Sequence, residues 1–212
     1  MFIDVEAWAL AQAFSLGRWQ MLLKQLVEHF DTYTCLPVGV NTVRDQIVDL
    51  GIQDEIRFHM VEIDPTILRG LIYRYSKHNV PYGEPILCTD ICLAKDQEYE
   101  WQRVVAVKEL LHITDTDPET AQSEGAVEKL IERLSLPFEI REETRSSLND
   151  RVHFIPALAI LVPKDVRDIL RDLRQRDKIT PIDVARMAKI PDRYGAMVLT
   201  DLFEDVVSDL CK

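Results

Sequence analysis

Apolar residues recur at helical spacing from the start of the chain. Trp8, Ala11, Leu16, Trp19, Leu22, Leu23, Leu26, Val27 and Phe30 predict one long amphipathic helix over residues 5–30, or two shorter ones meeting near Ser15-Leu16-Gly17. After Leu36-Pro37, Asn41-Thr42 offers an N-cap to a short helix that ends near Leu50-Gly51, where a glycine suits left-handed backbone. From Glu55 the pattern changes: Ile56-Arg57-Phe58-His59-Met60-Val61-Glu62-Ile63 is rich in β-formers and stops at Asp64-Pro65. Leu68 to Tyr75 and Pro85 to Ile91 bracket the turn-forming stretch Lys77-His78-Asn79-Val80-Pro81-Tyr82-Gly83, a hairpin with a long loop. Three antiparallel strands are expected.

After Ala94-Lys95-Asp96 the helical period returns through Tyr99, Trp101, Val104, Val105, Lys108, Leu111 and His112. From Pro118 onward the chain reads as helical, with breaks near Pro137, Pro156, Pro163, Thr180-Pro181 and Pro191. No internal repeat or low-complexity tract occurs. The pattern predicts an α+β fold, mainly helical with a small three-stranded antiparallel sheet, and 212 residues suffice for one main domain.

The formal charge is −11, which sets the molecule as a whole against nucleic acid and anionic membrane. It is unevenly spread. Lys164 to Arg193 holds nine Lys/Arg against six Asp/Glu, a local net of +3 that leaves −14 for the rest, and this strip reads as a solvated helical surface of alternating charge. Its Ile182–Met187 and Asp192–Val198 stretches have a helix-turn-helix-like spacing that keeps a DNA-linked regulator open, although nucleic acid is not the expected partner. Met1-Phe2-Ile3-Asp4-Val5-Glu6 puts acids where a signal peptide carries bases, and no apolar run approaches the roughly 18 residues of a membrane span. A cytoplasmic location without a membrane partner is the expectation. Cys35, Cys88, Cys92 and Cys211 form no C-x-x-C pair and read as buried free thiols; Cys88 and Cys92 would face the same side of a strand.

One segment carries chemistry. Val107-Lys108-Glu109-Leu110-Leu111-His112 has the form of the zincin helix H-E-x-x-H with lysine at the first histidine. In the intact motif two His at i and i+4 chelate zinc from one helix face and the Glu is general base to the bound water. Glu109 and His112 remain here, whereas a protonated Lys108 is no ligand and repels a cation. The order of features around this segment, with Leu36-Pro37-Val38, Leu50-Gly51-Ile52, Leu68-Arg69-Gly70, Ile86-Leu87, Ala157-Leu158-Ala159-Ile160-Leu161-Val162-Pro163, Asp183-Val184-Ala185 and Ile190-Pro191, resembles the ImmA/IrrE metallopeptidase family.

The resemblance implies a zincin-like fold, with a degenerate domain over 1–163 and a C-terminal helical extension over 164–212 packed on it. The family implies a cytosolic protease that cleaves a transcriptional repressor. Its third zinc ligand, usually a Glu upstream of the terminal proline, falls at Val152, with Asp150 and His153 beside it. With two of three ligand positions changed, the expectation is a catalytically inactive binding or regulatory module with a protein or peptide partner and no metal or other cofactor. A cleft of Trp101, Lys108, Glu109, His112, Glu119, Asp150 and His153 is expected, Trp101 itself as core. The alternative is an active zinc peptidase in which Glu109 is the catalytic base and His112 works with substitute ligands such as His153 or His78; Glu119 and Glu124 are further acids within conceivable reach. Lys108 is expected to lie with its stem against the core and its ammonium near a carboxylate, from Glu109, Glu119 or Asp150.

Overall fold

The computed structural model describes residues 21–78, 80, 83–114 and 145–211, with no side-chain description for 114 and 145–152. The helical pattern at Trp8–Trp19, the Pro137 break, Glu119 and Glu124 lie outside the described residues. Helix α1 is described over 21–31 and is followed by α2 at Val40–Asp49. Strands β1 (Glu55–Val61), β2 (Gly70–Lys77) and β3 (Ile86–Ala94) come next. The rest is helical: α3 at Tyr99–Leu111, α4 at Arg145–Leu161, α5 at Lys164–Gln175, α6 at Pro181–Ala188 and α7 at Asp201–Leu210. No helix among the described residues is long and apolar enough to cross a membrane.

The fold is α+β, but the sheet is mixed and not antiparallel. Its order is β1-β3-β2, with β1 parallel to β3 and β2 antiparallel to β3. The alternation of apolar and polar residues fixes which face a side chain takes but carries nothing about the direction of the neighbouring strand. What sets the order is polarity. Strand β3, Ile-Leu-Cys-Thr-Asp-Ile-Cys-Leu-Ala, is the most apolar and takes the centre, whereas β1 and β2 carry Glu55, Arg57, His59, Arg74 and Lys77 and blunt the edges with charge. Thr89, Ile91 and Leu93 turn to the inner face and are buried there, while Cys88, Asp90 and Cys92 take the other.

Two glycines are dictated by geometry. Gly51 follows α2 at φ +99°, a conformation that other residues rarely adopt. At Gly70 a Cβ would collide with Val105 Cγ1, so its absence lets β2 lie close against α3. The α2 start differs in detail from expectation: Gly39 is the N-cap residue, without a side-chain cap, and Asn41-Thr42 lie inside the helix.

Helix α3 is buried on most of its circumference, from Arg103 to Val107 and again from Glu109 to Leu111, because the sheet packs on it from one direction and α4 from another. Pro156 does not break the chain and sits inside α4. The lost backbone N–H donor there is offset by the burial of every residue from Ala157 to Val162. Pro163 ends that run and opens α5, as expected, and Thr180-Pro181 starts α6 with a reciprocal cap in which Thr180 Oγ1 accepts from Asp183 N at 3.2 Å and Asp183 Oδ2 accepts from Thr180 N at 2.8 Å. The Thr180 hydroxyl, which also donates to Asp183 Oδ2 at 2.7 Å, and next the Thr180 N–H hold the Asp183 carboxyl below its usual range. One cluster of buried apolar side chains runs from Leu23 in α1 to Val207 in α7.

Two buried arginines tie distant parts together. Arg103 of α3 donates from Nη2 to Val38 O at 2.7 Å and from Nε to Lys189 O at 3.1 Å, joining the entry of α2 to the left-handed end of α6. Arg167 of α5 meets Glu204 of α7 with both carboxylate oxygens, at 2.8 and 2.9 Å, and gives Nη1 to Ala159 O and Val162 O at the end of α4.

Candidate functional site

The K-E-L-L-H segment occupies the last turn of α3, with His112 opening a short 3-10 turn, His112–Thr114. Because the helix is enclosed, its polar residues are enclosed too. The side chains of Lys108 and Glu109 are only 13% and 4% exposed, and Lys108 Nζ lies 2.8 Å from Glu109 Oε1. Adjacent helical residues point about 100° apart, so the lysine stem must curve back to reach this carboxylate. The contact is an ion pair without hydrogen-bond alignment, since Oε1 has no hydrogen-bond donor. Among the described residues Glu109 is a carboxylate that the ammonium meets; Glu119 lies outside them and the Asp150 side chain, on α4, is not described.

His153 of α4 comes to the same place. Its ring centre is 3.9 Å from that of His112, the planes 33° apart, and both histidines are buried. The register count that lands on Val152 thus misses by one residue a side chain that the fold brings onto the motif. Adjacent Phe154 packs instead on Trp101, 6.4 Å between centres, near the other end of α3.

A tetrahedral zinc, with Zn–N near 2.0–2.1 Å, holds the centres of two coordinating imidazoles roughly 5 Å apart. At 3.9 Å His112 and His153 are stacked closer than that. Lys108 stands at the first ligand position, and among the described residues no group of three His, Cys, Asp or Glu is placed to hold a metal. As they stand, these residues do not fit a zinc centre. His78 is exposed in the hairpin, with Nδ1 2.7 Å from Gly83 O, and His59 on β1 lies 3.2 Å from Asp90 Oδ1.

Trp101 is half-buried rather than core, in a setting that sequence reasoning missed. Phe154 and Tyr194 pack round it, the Tyr194 ring edge-on at 5.7 Å, and the guanidinium carbons of Arg69 and Arg193 stand 3.7 and 4.4 Å from its ring centre. These five residues come from three elements and the loop before β2, and no local pattern joins them. The expected second helix over Asp192–Val198 is not formed: two 3-10 turns, Asp192–Tyr194 and Met197–Leu199, take its place, so the spacing does not make a helix-turn-helix there.

All four cysteines are free. Only Cys88 is fully buried, and Cys35 is exposed, contrary to expectation. Burial, with Asp90 nearby, pushes the Cys92 thiol up, and burial with Asp31 and Glu28 pushes Cys211 up to about 11, so neither is an activated nucleophile. Compared with family models, with curated proteins and with solved structures, the chain has no match in any of the three, and the reading of the site rests on its own residues.

Proposed function

We propose that this chain is a metallopeptidase-like domain without catalytic activity, acting as a binding or regulatory module for a protein or peptide partner. The observation that carries the reading is the buried Lys108–Glu109 pair at 2.8 Å. In a working zincin helix the glutamate removes a proton from metal-bound water. Here an internal ammonium already occupies one oxygen of that carboxylate, and it brings positive charge to the position a ligand would hold. On this reading the lysine stands in for the metal as the cation of the site.

The experiment is elemental analysis of protein purified without added zinc or chelator. Less than about 0.2 zinc per chain is expected, given the need for three protein ligands, and a stoichiometry near one overturns the proposal. A second reading, an active zinc peptidase, is favoured by one feature, the approach of His153 to His112. It requires the two rings to separate and a further ligand to join them. Under that reading, bound zinc would be lost in His153→Ala and proteolysis in Glu109→Gln, whereas the first reading expects no proteolysis to lose.

A further inference from the structure

Arg69 and Arg193 place two positive charges on one indole. Arg69 immediately precedes β2, and its position is fixed by its own carbonyl, which accepts from Ala94 N at 3.0 Å and from Gln97 Nε2 at 2.9 Å. Arg193 sits on the 3-10 turn after α6, with its guanidinium carbon 4.4 Å from the Trp101 ring centre and 4.8 Å from that of Tyr194. Neither arginine makes an ion pair among the described residues; Glu98 attracts Arg69 but stands beyond ion-pair distance. Two like charges near one indole, with no ion-pair partner among the described residues, repel each other. Burial and the charge of Arg193 both hold the Arg69 guanidinium below its usual range, the expected mark of that repulsion.

We infer that Arg69, Arg193 and Trp101 form an oxyanion-binding site for a phosphomonoester group. Both guanidinium carbons stand over the Trp101 ring, and a guanidinium can form forked hydrogen bonds through its in-plane N–H groups with tetrahedral or planar oxyanions. The charge decides between them. A pair worth +2 is neutralised by a single phosphomonoester, which carries about −1.5 to −2 near pH 7, and only half neutralised by one carboxylate. Tyr194 adds a neutral donor, because burial, the largest influence, pushes its phenol above the usual tyrosine range. The site lies at the N-terminal end of α3, away from the Lys108–Glu109 pair, and does not depend on whether the chain descends from a peptidase.

The test uses the full chain titrated at constant ionic strength with inorganic phosphate and, separately, with phenyl phosphate, followed by calorimetry and by the indole N–H resonances. Saturable binding with a Kd below about 1 mM is expected for at least one probe, with a shift of the Trp101 resonance. Arg193→Gln is the decisive variant, because its side chain is on the surface and the change leaves the core intact. It should weaken binding at least tenfold with an unchanged unfolding midpoint, and Arg69→Gln should do the same, while Arg176→Gln, just past the end of α5, leaves binding as it was. Equal affinity for the two probes assigns the site to the phosphate group alone, and tighter binding of phenyl phosphate to a monoester with a planar substituent. The inference is overturned if neither probe saturates by about 10 mM, or if both bind Arg193→Gln as tightly as the parent.

Discussion

At the scale of single residues the buried cation and carboxylate at the end of α3 depend on each other. Remove Lys108 and the Glu109 carboxylate, 4% exposed, keeps its desolvation cost without the attraction that offset it. Lys108→Ala is therefore expected to cost about 1–3 kcal/mol, far more than a surface lysine. Lys108→Met keeps the packing of the stem and should cost less. Adding Glu109→Gln to either should recover part of the loss, because it removes the stranded charge; urea unfolding of the two singles and the double gives the coupling directly. Single-mutant effects that simply add, or a Lys108→Ala protein as stable as the parent, would show that the pair does not matter to the fold. Asp54 is a similar case on the sheet, its Oδ2 accepting from Thr89 Oγ1 at 2.6 Å and Arg74 Nη2 at 3.1 Å, where Arg74 and Thr89 are partners across β2 and β3. Such a buried acid ties a loop to two strands.

At the scale of elements the controlling contact is the seat of α3 on the sheet. Gly70 lets β2 approach Val105, and an added Cβ has nowhere to go. Gly70→Ala is expected to destabilise by about 1–3 kcal/mol through overpacking, and Gly70→Ala with Val105→Ala should recover much of it; thermal unfolding of both checks this. No recovery in the double variant would place the strain elsewhere, for instance at the Cys92 carbonyl 3.2 Å from the same Cβ position. The elements themselves were largely legible. Richness in β-formers located β1 to within a few residues, β-formers flanking a turn-rich stretch located β2 and β3, and Thr180-Pro181 announced α6 by its cap. Strand direction was not legible, because alternation has no sense of orientation. Nor was the survival of α4 through Pro156, which is decided by burial over Ala157–Val162. The meeting of His153 with His112, and of Arg69 with Arg193, depends on helices and turns crossing far along the chain, and neither periodicity nor motif spacing contains that information.

At the scale of the whole molecule, closure depends on ion pairs that bind the C-terminal helix to the rest. Glu204 of α7 is gripped by Arg167 in two-pronged fashion and by Arg171 Nη2 at 2.9 Å, while Arg167 also serves the carbonyls that end α4. Burial alone would raise the Glu204 carboxyl, but the hydrogen bonds and charges of the two arginines outweigh it and hold the group below its ordinary value of 4.5. With the folded value below the unfolded one, the unfolded chain binds the proton more readily. The contribution is thus complete above the ordinary glutamate range and is lost as pH falls through the depressed folded value. Asp31 acts in the opposite sense near the same arginine: burial raises its carboxyl above 3.8, so whatever it contributes is lost as pH rises through the folded value. Because Glu204 is one of the charges that raise Asp31, the comparison of the parent with Glu204→Gln is made with Asp31→Asn in both. The variant should be less stable by about 1–3 kcal/mol at pH 7, from the loss of a charge-assisted pair to a buried arginine, and the difference should shrink as pH is lowered below 4.5. Urea unfolding at several pH values between 7 and 3 reads that difference. A gap that stays constant throughout would mean that Glu204 holds α7 by shape and neutral hydrogen bonding, with its charge playing no part.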